Sequence, residues 1–381
     1  MSADPTPERI SVSRLPDPPA ATVIEVVYPA HRGAIGIRGN RAPLSWEHTT
    51  LPKLRDGDRH LFAVEVPPGE VLDLKLVRND EQWAHGRNYA VHAGDHLHLE
   101  PCFDRTASVL GEPETLGLDD ESITIQVLLP PSYEEQERKR YPVLYAQDGQ
   151  ALWSTSRDPY GVWHLEKTLD RLYEIGAMEE IIVVAVDTSD RRVDRLGPVP
   201  DPKHGGGAAK MHLRAIVDAV RTHVNGKYRT RRDRRHTALL GSSMGGLFSL
   251  YAAWTRPDVF GKAACLSSSF WWSERHPVRM VQQSAAPEPR PILYLDSGAA
   301  QSEMEQDASA RDGFHHTRSM FRALVAQGYR PGTDLHWLTF PGSTHDAASW
   351  AARVAIPLQL LFPPDVREPD LDALPDAVAP R

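Results

Sequence analysis

The chain has 381 residues, 41% of them hydrophobic and 25% charged, the composition of an ordinary soluble globular protein long enough for a full α/β domain and a smaller one. A formal net charge of −8 argues against a nucleic-acid binder, and the nearest basic block, Tyr228–Arg235, reads as a surface turn. No stretch approaches a membrane span, and Met1–Arg9 lacks the apolar core of a signal peptide, so no membrane partner and a cytoplasmic location are the default expectations. Cys102 and Cys265 are expected in different domains, which leaves no disulfide framework.

Residues 1–20 are proline-rich and polar and read as a mobile arm. From 21 to 104 short strand-like runs such as Thr22–Tyr28, His60–Val66 and Val71–Val77 are separated by turn signals, Asp56-Gly57-Asp58 and Pro67-Pro68-Gly69 among them. That spacing predicts a small all-β, immunoglobulin-like sandwich. The runs Ile37-Arg38-Gly39-Asn40 and Pro43-Leu44-Ser45-Trp46, then Leu74–Asn79 followed by Trp83, resemble a starch-binding or related carbohydrate module. The resemblance implies a glycan partner, with Trp46 and Trp83 as stacking faces; the alternative places both in a core or a domain interface.

Residues 105–120 are polar and read as a linker to a second domain spanning 121–364, with 365–381 a flexible tail. In that domain apolar strand runs (Ser122–Leu129, Tyr141–Gln147, Ile181–Asp187, His236–Leu240, Ala263–Leu266, Pro291–Asp296, Asp334–Phe340) alternate with helical spacing. The alternation predicts an α/β fold with a mostly parallel, doubly wound sheet.

The organising stretch is Gly241-Ser242-Ser243-Met244-Gly245, set between a strand and a helix. A Gly-x-Ser-x-Gly sequence in that context is a nucleophile elbow, with Ser243 held in a strained turn at a helix N-terminus. His345 follows the last strand and precedes the last helix, as the α/β-hydrolase order Ser…acid…His requires of a base. Oxyanion stabilisation needs two amide donors. The backbone N–H of Met244 is one expectation and that of Gln150, in the turn after Gln147, the other. His315-His316 and His96/His98 have no convincing zinc spacing, so no metal is assigned.

Tyr141–Tyr145 leading to Asp148-Gly149-Gln150, then Ile181–Asp187, Gly241–Gly246 and Thr344-His345 before Trp350 resemble an esterase family of α/β-hydrolases. That family includes enterobactin esterases, esterase D and feruloyl esterases. The resemblance, over about two thirds of the chain, implies an α/β-hydrolase fold and ester hydrolysis through an acyl-serine, with no metal or organic cofactor. Relatives supply the acid from the loop after the strand ending at Asp296. Here that loop offers Glu303, Glu305, Asp307 and Asp312, with Asp312 the leading choice and a helix N-cap its rival role. Trp153, Trp271 and Trp272 are read as lining the pocket or else as core, and Arg191, Arg192 and Arg195 as meeting an anionic substrate or else as a solvated face. The reading is a serine carboxylesterase acting on a small-molecule ester, with a siderophore ester leading. A carbohydrate esterase guided by the sandwich is the enzymatic alternative. A glycan-binding protein with a degenerate hydrolase domain is the non-enzymatic one.

Overall fold

A computed structural model describes residues 22–118, 121–188, 191–299 and 312–364. The expected arm at 1–20, the expected tail at 365–381 and the acid candidates Glu303, Glu305 and Asp307 lie outside the described residues.

Among the described residues, 22–84 and 88–101 form one compact unit, and 85–87 with the stretch from Cys102 onward form the other. The first unit is all-β. Thr22–Val27 pairs with Arg59–Val64 and His96–Leu99 in one four-stranded sheet, completed by Leu54–Asp56. Ile35–Gly39, Leu72–Arg78, Gln82–Trp83 and Tyr89–Val91 make the other. In Leu72–Arg78 the residues Leu72, Leu74 and Leu76 are buried while Asp73 and Lys75 are not, the alternation of a strand with one apolar face.

The larger unit is built on one sheet whose strands are β1 (Glu114–Leu118), β2 (Glu121–Leu129), β3 (Val143–Gln147), β4 (Ile182–Val186), β5 (Thr237–Ser242), β6 (Lys262–Leu266), β7 (Ile292–Ala299) and β8 (Leu335–Pro341). They lie in the order β1-β2-β4-β3-β5-β6-β7-β8, antiparallel at β1–β2–β4 and parallel from β4 to β8. Residues 105–120, expected as a linker, instead supply β1 and the short strand Val109–Leu110, which pairs with β2. An edge strand with a solvated face carries too few apolar residues to be told from a linker. Cys102 also belongs to this unit, beside the Glu135 carboxylate that accepts the amides of Phe103 (2.8 Å) and Asp104 (2.9 Å); both thiols are free.

Central parallel strands are buried on both faces, which is why β3 and β4 are continuous apolar runs. Successive side chains of β3 enter opposite cores. Val143 and Tyr145 pack with Val184, Leu213, Leu239 and Phe248, and Leu144 and Ala146 with Leu169, Val183, Leu240 and Leu358. Each such buried aliphatic side chain stabilises the fold by about 1.5–3 kcal/mol.

The covering helices are α1 (Leu165–Glu174), α2 (Arg192–Leu196), α3 (Ala209–Ala215) and α4 (Arg221–Lys227), the last two joined by a π turn at Ile216–Val220. They continue with α5 (Met244–Thr255), α6 (Trp272–Gln283), α7 (Phe314–Ala326), α8 (Ala347–Arg353) and α9 (Ala355–Leu361). α5 is buried at every residue except Tyr251 and Thr255, so it is apolar all round rather than amphipathic.

Candidate active site

The turn from β5 into α5 holds Ser243 at φ 54°, ψ −118°. Neighbouring glycines make this possible. A Cβ on Gly241 would lie 2.3 Å from the Gly245 carbonyl carbon, and one on Gly246 would lie 2.2 Å from Ser268 Oγ. A methyl at Gly241 would meet the Gly245 backbone and push strand and helix apart, and one at Gly246 would displace the Ser268 hydroxyl. The Ser243 amide donates to the Leu266 carbonyl (2.9 Å), which ties the elbow to β6.

The structure brings Ser243, His345 and Asp312 together. Ser243 Oγ lies 2.9 Å from His345 Nε2, and His345 Nδ1 lies 2.6 Å from Asp312 Oδ1. A carboxylate can only accept, so Nδ1 carries the proton and Nε2 is left to receive the serine hydroxyl. Ser243 Oγ is also 3.2 Å from Ser269 Oγ. With the Ser243 proton directed at the imidazole, Ser269 is the donor in that contact. His345 is partly open, with its side chain 40% exposed, and its ring meets Trp350 edge to face at 5.0 Å. The segment after it is fixed by Asp346, whose Oδ1 accepts the Ser349 amide (2.8 Å) and caps α8. Hydrogen bonds from Thr344 and then from the Ser349 amide hold the Asp346 carboxyl below the usual carboxylate range.

Asp312 is fully buried at φ 44°, one residue before Gly313, which occupies the N-cap of α7 without any side-chain cap. Its carboxylate therefore serves the histidine and not the helix. Oδ1 faces His345. Oδ2 accepts from the Gly298 amide (2.7 Å), Ser267 Oγ (2.5 Å) and Arg353 Nη2 (3.3 Å).

Met244 is the first residue of α5, so its N–H belongs to the first turn, where helix amides have no intrahelical partner. Gln150 lies in a 3₁₀ turn, Gly149–Ala151, that follows Asp148 in the left-handed region. This turn lies against the start of α5, since a Cβ on Gly245 would be 3.2 Å from both Asp148 Oδ2 and Gln147 Cβ. Asp148 anchors it by accepting from Thr188 Oγ1 (2.6 Å) and, at both oxygens, from Arg192 Nε (2.7 Å) and Nη2 (2.8 Å). Arg192 is thereby committed to Asp148. Arg195 is buried and donates to the Ser122 carbonyl (2.7 Å), while Arg191 sits half-buried at the N-cap of α2. His212, buried beside Gln147 and Phe248, is driven down to about 3, first by desolvation and then by the charges of Arg195 and Arg191. It stays neutral and offers no second base.

Two expectations for the pocket are corrected. Trp272 is 1% exposed, donates from Nε1 to the Val199 carbonyl (2.8 Å) and packs on Gly206, and Trp153 is 2% exposed. Both are core residues, Trp272 in the cluster on one side of the sheet and Trp153 in the cluster on the other. Trp271 is the exposed member of the 271–272 pair, at 39%, with His204 edge-on at 5.5 Å. Among the described residues no group of three His, Cys, Asp or Glu could hold a metal ion. No helix among them is long and apolar enough to cross a membrane.

Sequence reasoning missed Ser267, Ser269, Asp296 and Arg353. The Ser267-Ser268-Ser269 run at the end of β6 was the one available signal; Arg353 is one of many arginines until the fold brings it inward.

A mostly parallel sheet in this order, with a serine elbow after β5 and a histidine after β8, is that of an α/β-hydrolase. Residues 118–357 match the family described as "Putative esterase", and the chain belongs to that family. It is 25% identical over 310 residues to the iron(III) enterobactin esterase of Escherichia coli K12, covering 78% of this chain and 68% of that protein. A shorter match, 39% identical over 89 residues, is to the siderophore enterobactin esterase of Emericella nidulans, and spans 23% of this chain and 29% of that enzyme. The solved ferric enterobactin esterase of Salmonella typhimurium shares the fold at 14% identity with a TM-score of 0.51, over 86% of this chain and 88% of that one.

Proposed function

We propose that the protein is a serine carboxylesterase with Ser243 as nucleophile, His345 as general base and acid, and Asp312 as the residue that orients and charges the histidine. The observation that carries this reading is the unbroken path from Ser243 Oγ through His345 to the buried Asp312 carboxylate, at 2.9 and 2.6 Å. Ser243 Oγ attacks the ester carbonyl while Nε2 takes its proton. The amides of Met244 and Gln150 meet the oxyanion, and the imidazolium returns the proton to the departing alcohol. Water, deprotonated by the same histidine, then releases the acid from Ser243.

A siderophore ester of the enterobactin kind is the substrate class that the named relatives favour. Trp271, exposed and two residues beyond Ser269, supplies an aromatic face for a catechol-sized acyl group. Comparing hydrolysis of an aryl acetate, a feruloyl sugar and a tricatecholate trilactone tests it. A kcat/KM for the trilactone at least about a hundredfold above the feruloyl ester supports the reading, and the reverse ranking replaces it with a carbohydrate esterase. A fluorophosphonate probe that fails to label Ser243 would remove the enzymatic reading altogether.

A second reading concerns the β-rich unit. Trp46 and Trp83 are 38% and 39% exposed, their rings 6.0 Å apart, with the Arg38 guanidinium 5.4 Å over Trp83. Such exposed faces can stack on pyranose rings, which supports a glycan contact there. Retention of the protein by soluble α-glucan, lost in Trp83→Ala, is the expected result; equal retention of both forms would count against it.

A further inference from the structure

A second carboxylate lies behind the candidate triad and takes no part in the scheme above. Asp296, in β7, is fully buried. Its Oδ2 accepts from Arg353 Nε (3.1 Å) and the Tyr294 hydroxyl (3.0 Å), and its Oδ1 from Arg353 Nη2 (3.1 Å) and the Ser267 amide (3.0 Å). Arg353, the last residue of α8, is also buried. Its Nη2 reaches Ser267 Oγ (2.5 Å) and Asp312 Oδ2 (3.3 Å) as well. Ser267 passes the interaction on, donating its own proton to Asp312 Oδ2 (2.5 Å) from a backbone at φ 42°. One guanidinium thus serves two buried carboxylates, and only one of them touches the histidine.

We propose that Asp296 and Arg353 are positioning residues for Asp312, forming a self-compensated ion pair that orients the acid without cancelling its charge. The proposal rests on the triad reading given above. An arginine alone behind Asp312 would hold the carboxylate in place but would neutralise the charge that the imidazolium needs. Asp296 takes two of the guanidinium contacts, so the three groups together keep one net negative charge. That charge is matched when His345 becomes protonated in the transition state. The donors on Oδ2 leave Oδ1 as the oxygen presented to His345. Without Arg353, two neighbouring carboxylates would be left buried, and they could not both remain ionised. The titratable groups facing this set are Tyr294 on β7 and Cys265 on β6, both pushed far up by burial and so protonated. Asp346, at the other end of α8, is engaged with Thr344 and Ser349.

The test is the pH dependence of aryl acetate hydrolysis by the full chain and by Asp296→Asn, Arg353→Gln, the double variant and Ser243→Ala, each checked by thermal melting. Arg353→Gln is expected to lose about a hundredfold or more in kcat/KM, because the acid is displaced or protonated. Asp296→Asn leaves the guanidinium charge facing Asp312 alone. It should lose about tenfold and move the acidic limb of kcat/KM to lower pH by about half a unit or more, as the imidazolium is less stabilised. The double variant restores the net charge and should recover to within about tenfold of the parent. An unmoved acidic limb in Asp296→Asn, or a folded double variant no better than Arg353→Gln, overturns the proposal. If Arg353→Gln does not fold, the Asp296→Asn limb decides alone. Activity that survives Ser243→Ala would instead overturn the nucleophile reading, and this proposal with it.

Discussion

The nucleophile and the acid of one candidate site are held by different physics. Ser243 is fixed by backbone and absence of bulk: two glycines whose added Cβ atoms would meet neighbours at 2.3 and 2.2 Å, and one hydrogen bond from its amide to the Leu266 carbonyl. Asp312 is fixed chiefly by charge and hydrogen bonds, through Gly298, Ser267 and Arg353, and its closest steric constraint comes from Gly298, fourteen residues away, where an added Cβ would lie 2.8 Å from Asp312 Cβ. A steric hold is local and leaves a sequence motif. A polar hold is assembled from distant residues and leaves none.

The largest effect should come from the point where both holds meet. Ser243→Ala and His345→Ala are each expected to lower kcat on an aryl ester by about a millionfold, with the double variant no worse than either, since they act on one step. Additive losses, measured by burst and steady-state kinetics, would mean that the two do not work together. Next comes the polar hold alone. In Asp312→Asn the amide faces His345 in place of the carboxylate, so about a ten-thousandfold loss in kcat is expected. Retention of a tenth of the activity would move the acid elsewhere.

The steric hold is probed by stability rather than rate. Gly241→Ala forces a methyl into the Gly245 backbone, and urea denaturation should register a loss of about 3 kcal/mol. A neutral result would mean that the elbow relaxes freely and that absence of bulk does not fix Ser243. The smallest effect belongs to the cap beside the histidine. Asp346→Ala is expected to cost about 1 kcal/mol and leave kcat within a fewfold of the parent. Because the folded Asp346 carboxyl titrates below its unfolded value, the parent's advantage should be present above the unfolded carboxylate range and fade as pH falls through the folded pKa. Melting curves of both proteins at several acidic pH values would check that sign.

The same contrast explains what could be read in advance. The parallel sheet, the elbow and the position of His345 follow from apolar runs and short motifs, which are local signals. Asp312 could only be ranked among four carboxylates, because its partners Ser267 and Arg353 lie 45 and 41 residues away in the chain. Between pocket and core the sequence leaves Trp153 and Trp272 open, because nearness in the chain does not give the direction a side chain takes. The strand β1 is hidden in a polar stretch because its side-chain partners, Lys227 and His223 for Glu114 and the core for Leu116, come from other elements and leave no alternation within Glu114–Leu118 itself.

The bond from the Gly298 amide to Asp312 spans fourteen residues of chain and closes on itself before the helix begins. It works as a clasp. The carboxylate is thereby held to the end of β7, so its place beside His345 is set by that strand rather than by its count along the sequence.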